Sequence, residues 1–227
     1  MTVATMINPD AGARIISSSV ASSETSPAGA HPTFLTIEPG RNQAIIGFGD
    51  RSIRTVSLTV KDAVMLETLS LPNNPLSAHA DVGGNGVLIG TDAGTVILLS
   101  DGVADTLYQI GSTWVSVIAV HDAAGLRAFG AGRSLVVLDG SGTEILRRDN
   151  HPSTLMGLSF SPNGRWVAVA HYDGVSVWNL ADPDHEKVSL DWHGSHTAIG
   201  WSPCGKFIVT AMQDREMHCW KWNDRTG

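Results

Sequence analysis

From Phe34 to the end of the chain, short apolar runs alternate with polar turns. The runs are rich in Val, Ile and Leu, and the segments between them are rich in Gly, Asn, Asp and Pro. Short runs bounded by such turn residues are typical of β-strands. The pattern therefore predicts an all-β chain with almost no helix.

The runs recur with a period near 41 residues. Five copies align on the turn residues Asp50, Asp92, Gly132, Asp173 and Asp214, and the steps between these anchors are 42, 40, 41 and 41 residues. Each copy holds about four runs and leaves no room for a crossover helix, so we expect four-stranded antiparallel meanders. Successive meanders stacked around an axis form a β-propeller, which predicts about nineteen or twenty strands here.

The fourth and fifth copies share a more specific layout. Each has a histidine, an aromatic residue before a turn of the form Ser-Pro-x-Gly, an aspartate and a tryptophan. In the fourth copy these are His151, Phe160, the turn at 161–164, Asp173 and Trp178. In the fifth copy they are His193, Trp201, the turn at 202–205, Asp214 and Trp220.

This layout resembles the WD-repeat β-propeller family, and the segments after residue 169 are similar to a bacterial group of WD-repeat proteins of unassigned role. The first three copies keep the period but lack the tryptophan and the Ser-Pro turn. The resemblance implies that His151 approaches Asp173, and that His193 or His196 approaches Asp214, within hydrogen-bonding distance. It implies structural roles for six residues: His151, Asp173, Trp178, His193, Asp214 and Trp220.

The chain divides into a flexible N-terminal tail at 1–30 and a propeller at 31–227. The expected blades are 31–71, 72–110, 111–149, 150–191 and 192–227. Members of the bacterial group look like seven-bladed rings, which need more residues than this chain has. We therefore expect an open arc of such a ring in a C-terminally truncated chain. The alternative is a closed five-bladed ring in which Arg14–Ser17 supplies the missing outer strand.

Composition narrows the function classes. A net charge of −7 and a pI near 5.6 give no electrostatic footprint for nucleic acid or for an anionic membrane. No apolar run reaches the roughly 18 residues that a spanning helix needs. The start of the chain lacks a basic region followed by an apolar core, so it does not resemble a secretion signal. The two cysteines, Cys204 and Cys219, could form at most one disulfide, which is too few to stabilise a chain of this length. A protein that does not depend on disulfides fits a reducing compartment, so we expect the cytoplasm.

Catalytic and metal chemistry have little support in the sequence. The turn aspartates lie one to a copy, where a short acidic side chain bonds its own turn backbone. Nine histidines leave a metal hypothesis open at His171 and His196, but no pair has metal-ligand spacing. The glycine-rich segments are β-turns, since they lack the residues of phosphate-binding loops. We expect no enzyme activity, no cofactor and no metal.

The function that fits best is a protein-interaction scaffold in the cytoplasm, with a protein or peptide as its partner. A propeller presents a rim of loops on a rigid scaffold, and such rims bind through a few aromatic and arginine anchors. The expected contact residues lie in the second-to-third-strand turns and between copies: Arg51, Trp114, Arg133, His171, Tyr172, Gln213 and Arg215. The alternative is a propeller that binds a metal or a small ligand through rim histidines.

Overall fold

The computed structural model describes residues 30–58, 63–84, 86–182, 184 and 187–223. These residues form β-strands joined by turns, with 3-10 turns in place of any longer helix among them at Pro39–Arg41, Val82–Gly84 and Asp122–Ala124. The all-β prediction is confirmed. Residues 1–29, which include the segment Arg14–Ser17, lie outside the described residues.

The strands follow the predicted order of antiparallel meanders. The first sheet holds β1 (Pro32–Glu38), β2 (Gln43–Phe48), β3 (Ser52–Leu58) and β4 (Ala63–Ser70). The second holds β5 (Pro75–Ala80), β6 (Val87–Thr91), β7 (Thr95–Ser100) and β8 (Val103–Gln109). The third holds β9 (Val115–His121), β10 (Leu126–Ala131), β11 (Ser134–Leu138) and β12 (Glu144–Arg148). The last strands are β13 (Gly157–Phe160), β14 (Trp166–Asn179), β15 (Val188–Trp201), β16 (Phe207–Met212) and β17 (Met217–Lys221).

Two of the last strands are long because each contains two of the predicted runs. Leu180 and Arg165 flank the two ends of β14, and the backbone N–H of Leu180 donates to the carbonyl of Arg165 at 2.8 Å, so β14 turns back on itself as a hairpin. The reversal occurs at Asp173 and Gly174, which have φ values of 67° and 137°. The first part of β15 pairs with β14, and its second part pairs with β16. The seventeen elements, two of them double, thus give nineteen strands among the described residues.

The sheets contact one another in chain order through their first strands. β1 contacts β5, β5 contacts β9, β9 contacts β13, and β13 contacts β15. Each pair of neighbouring sheets encloses an apolar core, such as the one around Ile45, Ile89 and Ile97 between the first and second sheets. This is the stacking of propeller blades. Among the described residues no contact of comparable size joins the first sheet to the fifth, as expected for an open arc and not for a closed five-bladed ring.

Glycine in the second strand of a sheet lets the next sheet approach closely. A Cβ on Gly90 would lie 2.6 Å from the carbonyl oxygen of Val115 in the next sheet, whereas one on Gly130 would lie 2.5 Å from Cγ2 of Val117 in the paired strand of its own sheet. Real Cβ atoms do not come this near to such neighbours, because repulsion rises steeply at these distances. These positions therefore set the spacing between strands.

Acidic residues at the ends of the first strands link neighbouring sheets. The carboxylate of Asp81, which follows β5, accepts from Nε and Nη2 of Arg127 in β10 at 2.6 and 2.9 Å. Both side chains are buried, with 5% and 8% exposed. In the same way Glu38 accepts from the backbone N–H of Gly86 at 2.8 Å. Each bond joins one sheet to the next.

Candidate partner-binding rim

The rim consists of the second-to-third-strand turns and the connections between sheets. Six of the seven residues predicted there have exposed side chains: Arg51, Trp114, Arg133, Tyr172, Gln213 and Arg215. Trp114 and Tyr172 are the largest apolar surfaces among them, with 64% and 46% of their areas exposed. The seventh, His171, differs from the others because it is buried.

The turns of the rim are held in fixed backbone conformations. Arg51, Asp173 and Arg215 have φ values of 71°, 67° and 72°, in the left-handed region that residues other than glycine enter only at a cost of about 1–3 kcal/mol. In the first turn, Asp50 accepts from the backbone N–H of Ser52 at 3.0 Å and from its hydroxyl at 2.6 Å. The Ser52 hydroxyl bond lowers the pKa of Asp50. Such turns present their side chains from a pre-organised backbone.

His151 does not pair with Asp173, so that prediction is wrong. Nδ1 of His151 lies 3.0 Å from the carbonyl oxygen of Arg133, and Nε2 accepts from Nε1 of Trp178 at 3.1 Å. Because a carbonyl can only accept, the neutral imidazole carries its proton on Nδ1. The carbonyl of Arg133, in a turn of the third sheet, therefore accepts a hydrogen bond from His151, and His151 does not bond to the carboxylate of Asp173 as expected. Burial lowers the pKa of His151 to about 4.

The predicted pairing of His193 or His196 with Asp214 is also wrong. Nδ1 of His193 lies 2.8 Å from Oδ1 of Asp173, in the turn of the preceding copy. His196 is fully buried, with Nε2 2.9 Å from the carbonyl oxygen of Trp192 and Nδ1 2.8 Å from the hydroxyl of Thr210. Nε2 therefore donates and Nδ1 accepts, so neither nitrogen is left for a carboxylate.

His171 is held in the same manner. Nδ1 lies 2.8 Å from the carbonyl oxygen of Tyr172, and Nε2 lies 2.9 Å from the hydroxyl of Ser176. Burial lowers the pKa of His171. A metal ion binds the lone pair of a neutral imidazole, and in His171 and His196 a hydroxyl already occupies it. The part of the chain that the structure describes contains no group of three or more histidine, cysteine or acidic side chains able to hold a metal ion.

Two predicted structural tryptophans pack against the buried histidines. The ring of Trp178 lies 5.8 Å from that of His151, and the guanidinium carbon of Arg148 lies 4.8 Å from the centre of the Trp178 ring. In the fifth sheet the ring of Trp220 lies 5.7 Å from that of His196. Each tryptophan therefore packs against the buried histidine of its own sheet.

An aromatic surface on the rim was only partly foreseen from the sequence. Trp192, which is 44% exposed, stacks on His218 with ring centres 3.9 Å apart. Tyr172 lies edge-on to His193 at 5.7 Å. We call these four residues the rim cluster. Trp192 and His218 were missed, although Trp192 stands one period after His151, where the layout of the fourth copy has a histidine. The sequence signal that could have identified Trp192 is a large aromatic residue at the position where the fourth copy has His151.

Comparison with known proteins identifies the repeats. Residues 142–179 and 184–221 match the family described as WD domain, G-beta repeat. These two segments are WD repeats. Each WD repeat starts before the outer strand of one sheet and ends with the third strand of the next, so it links two blades.

Two relatives from Dictyostelium discoideum are similar to this chain. A WD40 repeat-containing protein is 30% identical over 86 residues, which are 36% of this chain and 13% of that protein. A periodic tryptophan protein 2 homolog is 29% identical over 123 residues, which are 52% of this chain and 13% of that protein. The chain therefore spans only a small part of the length of either relative.

Within the described ranges, no helix is long and apolar enough to cross a membrane.

Proposed function

We propose that the chain is a non-catalytic interaction scaffold and that its rim cluster binds a protein or peptide partner. The main support for this proposal is that the exposed aromatic side chains of the rim cluster stand beside rigid turns on two adjacent blades, the fourth and fifth sheets. Tyrosine and tryptophan dominate the binding energy of protein interfaces because they bury large areas at a low entropic cost. Arg215, in the next turn, adds a planar cation to the same part of the rim.

The geometry of the rim cluster supports binding rather than chemistry. The His193 imidazole bonds to Asp173, and Trp192 stacks on His218, so the exposed surface includes aromatic ring faces held in place by these contacts. A flat aromatic surface of this kind favours a partner side chain that packs on it. The cluster lies on the fourth and fifth sheets, within the WD repeats.

The test is affinity capture of the whole chain followed by quantitative mass spectrometry. Trp192→Ser and Tyr172→Ser should each reduce recovery of a specific partner about tenfold, as expected for loss of an interface hot spot. The Trp192 change leaves its carbonyl bond to His196 in place, so the fold is retained. Val103→Ser, which removes an exposed apolar side chain from β8 of the second sheet, is the matched control. If every protein captured by the wild type is equally captured by both rim variants, the proposal is refuted.

A further inference from the structure

A second concave surface lies at the other end of the fourth and fifth sheets. It is a cavity of about 610 Å³ between the first-to-second-strand turns at 161–165 and 202–206. Because these turns join the strand ends opposite to the rim, the cavity is separate from the rim cluster. We call it the turn cavity. Its volume is in the range of sites that hold a few side chains of a ligand.

Three tryptophans form the floor of the turn cavity. The ring of Trp222 lies edge-on to Trp166 at 5.2 Å and to Trp201 at 5.3 Å. Nε1 of Trp201 donates to the carbonyl oxygen of Ser159 at 3.2 Å, which fixes that ring against the fourth sheet. Trp222 is only 8% exposed, and its Nε1 has no hydrogen-bond partner among the described residues. The floor is therefore rigid and apolar.

The walls of the turn cavity carry positive charge only. Lys206 and Lys221 line it, and no aspartate or glutamate does so among the described residues. This is unusual for a chain with 22 acidic and 15 basic residues, of which only four are lysines. Asn163 adds an amide whose oxygen is already used by Ser161 and by the N–H of Arg165, so its nitrogen is the end available to a ligand. The cavity thus offers donors and cations to a ligand that supplies acceptors and negative charge.

We propose that the turn cavity binds an acidic peptide segment of a partner protein. An apolar side chain of the segment packs on Trp201, and flanking carboxylates pair with Lys206 and Lys221. The opposite charge of the walls and the aromatic floor select this ligand over a basic or a purely apolar one. This site is independent of the rim cluster, so either proposal can fail without the other.

Fluorescence anisotropy measures the interaction directly. The probe is a fluorescein-labelled peptide with a central phenylalanine flanked by glutamates, and the comparison peptide has lysines in place of the glutamates. The acidic peptide should bind the whole chain, and Lys206→Glu with Lys221→Glu should weaken binding by tenfold or more, since roughly 1.4 kcal/mol corresponds to tenfold. Lys187→Glu makes a charge change of the same kind outside the cavity and should leave binding within about twofold.

The two cysteines provide a second readout that locates the peptide. Cys204 lines the turn cavity, whereas exposed Cys219 lies in β17 outside its lining. Saturating acidic peptide should slow alkylation of Cys204 by iodoacetamide several-fold and leave Cys219 unchanged. The proposal is overturned if the acidic peptide binds no more tightly than the lysine peptide, if the double lysine variant binds like the wild type, or if the peptide protects both cysteines equally.

Discussion

Acid should weaken the fold in a specific pH window because of His151. This imidazole is 2% exposed, donates to the carbonyl of Arg133 in the third sheet and accepts from Trp178 in the fourth. Protonation of Nε2 would place two N–H groups against each other and a charge in an apolar site. The folded chain therefore resists protonation, and its pKa falls from 6.5 to about 4, chiefly through burial.

The sign and size of the effect follow from that pKa. Between pH 6.5 and about 4 the unfolded chain binds a proton at His151 that the folded chain does not. The contribution of His151 to stability is therefore complete above pH 6.5 and is lost as the pH falls through the folded pKa. The difference corresponds to about 3 kcal/mol, at about 1.4 kcal/mol for each factor of ten in proton affinity. His171, whose pKa is also lowered by burial, acts in the same direction.

Urea unfolding followed by circular dichroism, at several pH values between 7.5 and 4, measures this loss. His151→Gln removes the titrating group and keeps a hydrogen-bond donor and an acceptor at this position. Over the same pH range the free energy of unfolding of this variant should therefore decrease by about 3 kcal/mol less than that of the wild type. His79→Gln, a change at an exposed histidine, should behave like the wild type. The reasoning is refuted if the wild type and His151→Gln lose the same free energy between pH 6.5 and 4.5.

Three further outcomes test packing and reactivity. Asp81→Ala should cost about 3–5 kcal/mol in urea unfolding, because Arg127 stays buried without its partner, and the double change Asp81→Leu with Arg127→Met should cost clearly less. Gly90→Val should lower the unfolding free energy by about 1–3 kcal/mol or more, since its Cβ has no room; an unchanged value would mean that the sheets move apart freely. The Ser202 hydroxyl, 3.3 Å from Sγ, lowers the pKa of the Cys204 thiol, so Ser202→Ala should slow alkylation of Cys204 near pH 7, and equal rates would contradict the assignment.

The repeat and its strands could be predicted from the sequence because their causes are local. Alternation of apolar and polar residues selects strands, and turn residues such as Gly164 and Gly205, both with φ near 70°, fix where strands reverse. The prediction of four-stranded units required nothing from neighbouring sheets. It is confirmed, even where β14 and β15 run through two predicted strands.

The hydrogen-bond partners of the histidines could not be predicted, because they depend on the preceding sheet. His151 bonds to the carbonyl of Arg133, and His193 bonds to Asp173, so each pairing crosses from one copy to the turn of the copy before. A backbone carbonyl leaves no mark in a sequence motif. Lys206 and Lys221 come together because β16 pairs with β17 in the register that sets Phe207 opposite Lys221.

Site-specific photo-crosslinking tests the central claim most directly. The crosslinker p-benzoyl-phenylalanine replaces Tyr172 or Trp192 on the rim, or exposed Val103 in β8 of the second sheet as the comparison site, and the whole chain is irradiated in the cells that produce it. If the rim cluster is the partner surface, a discrete protein adduct will form from the first two positions and not from the third. Adducts from Val103 alone, or from none of the three, would contradict the assignment of the rim as the binding surface.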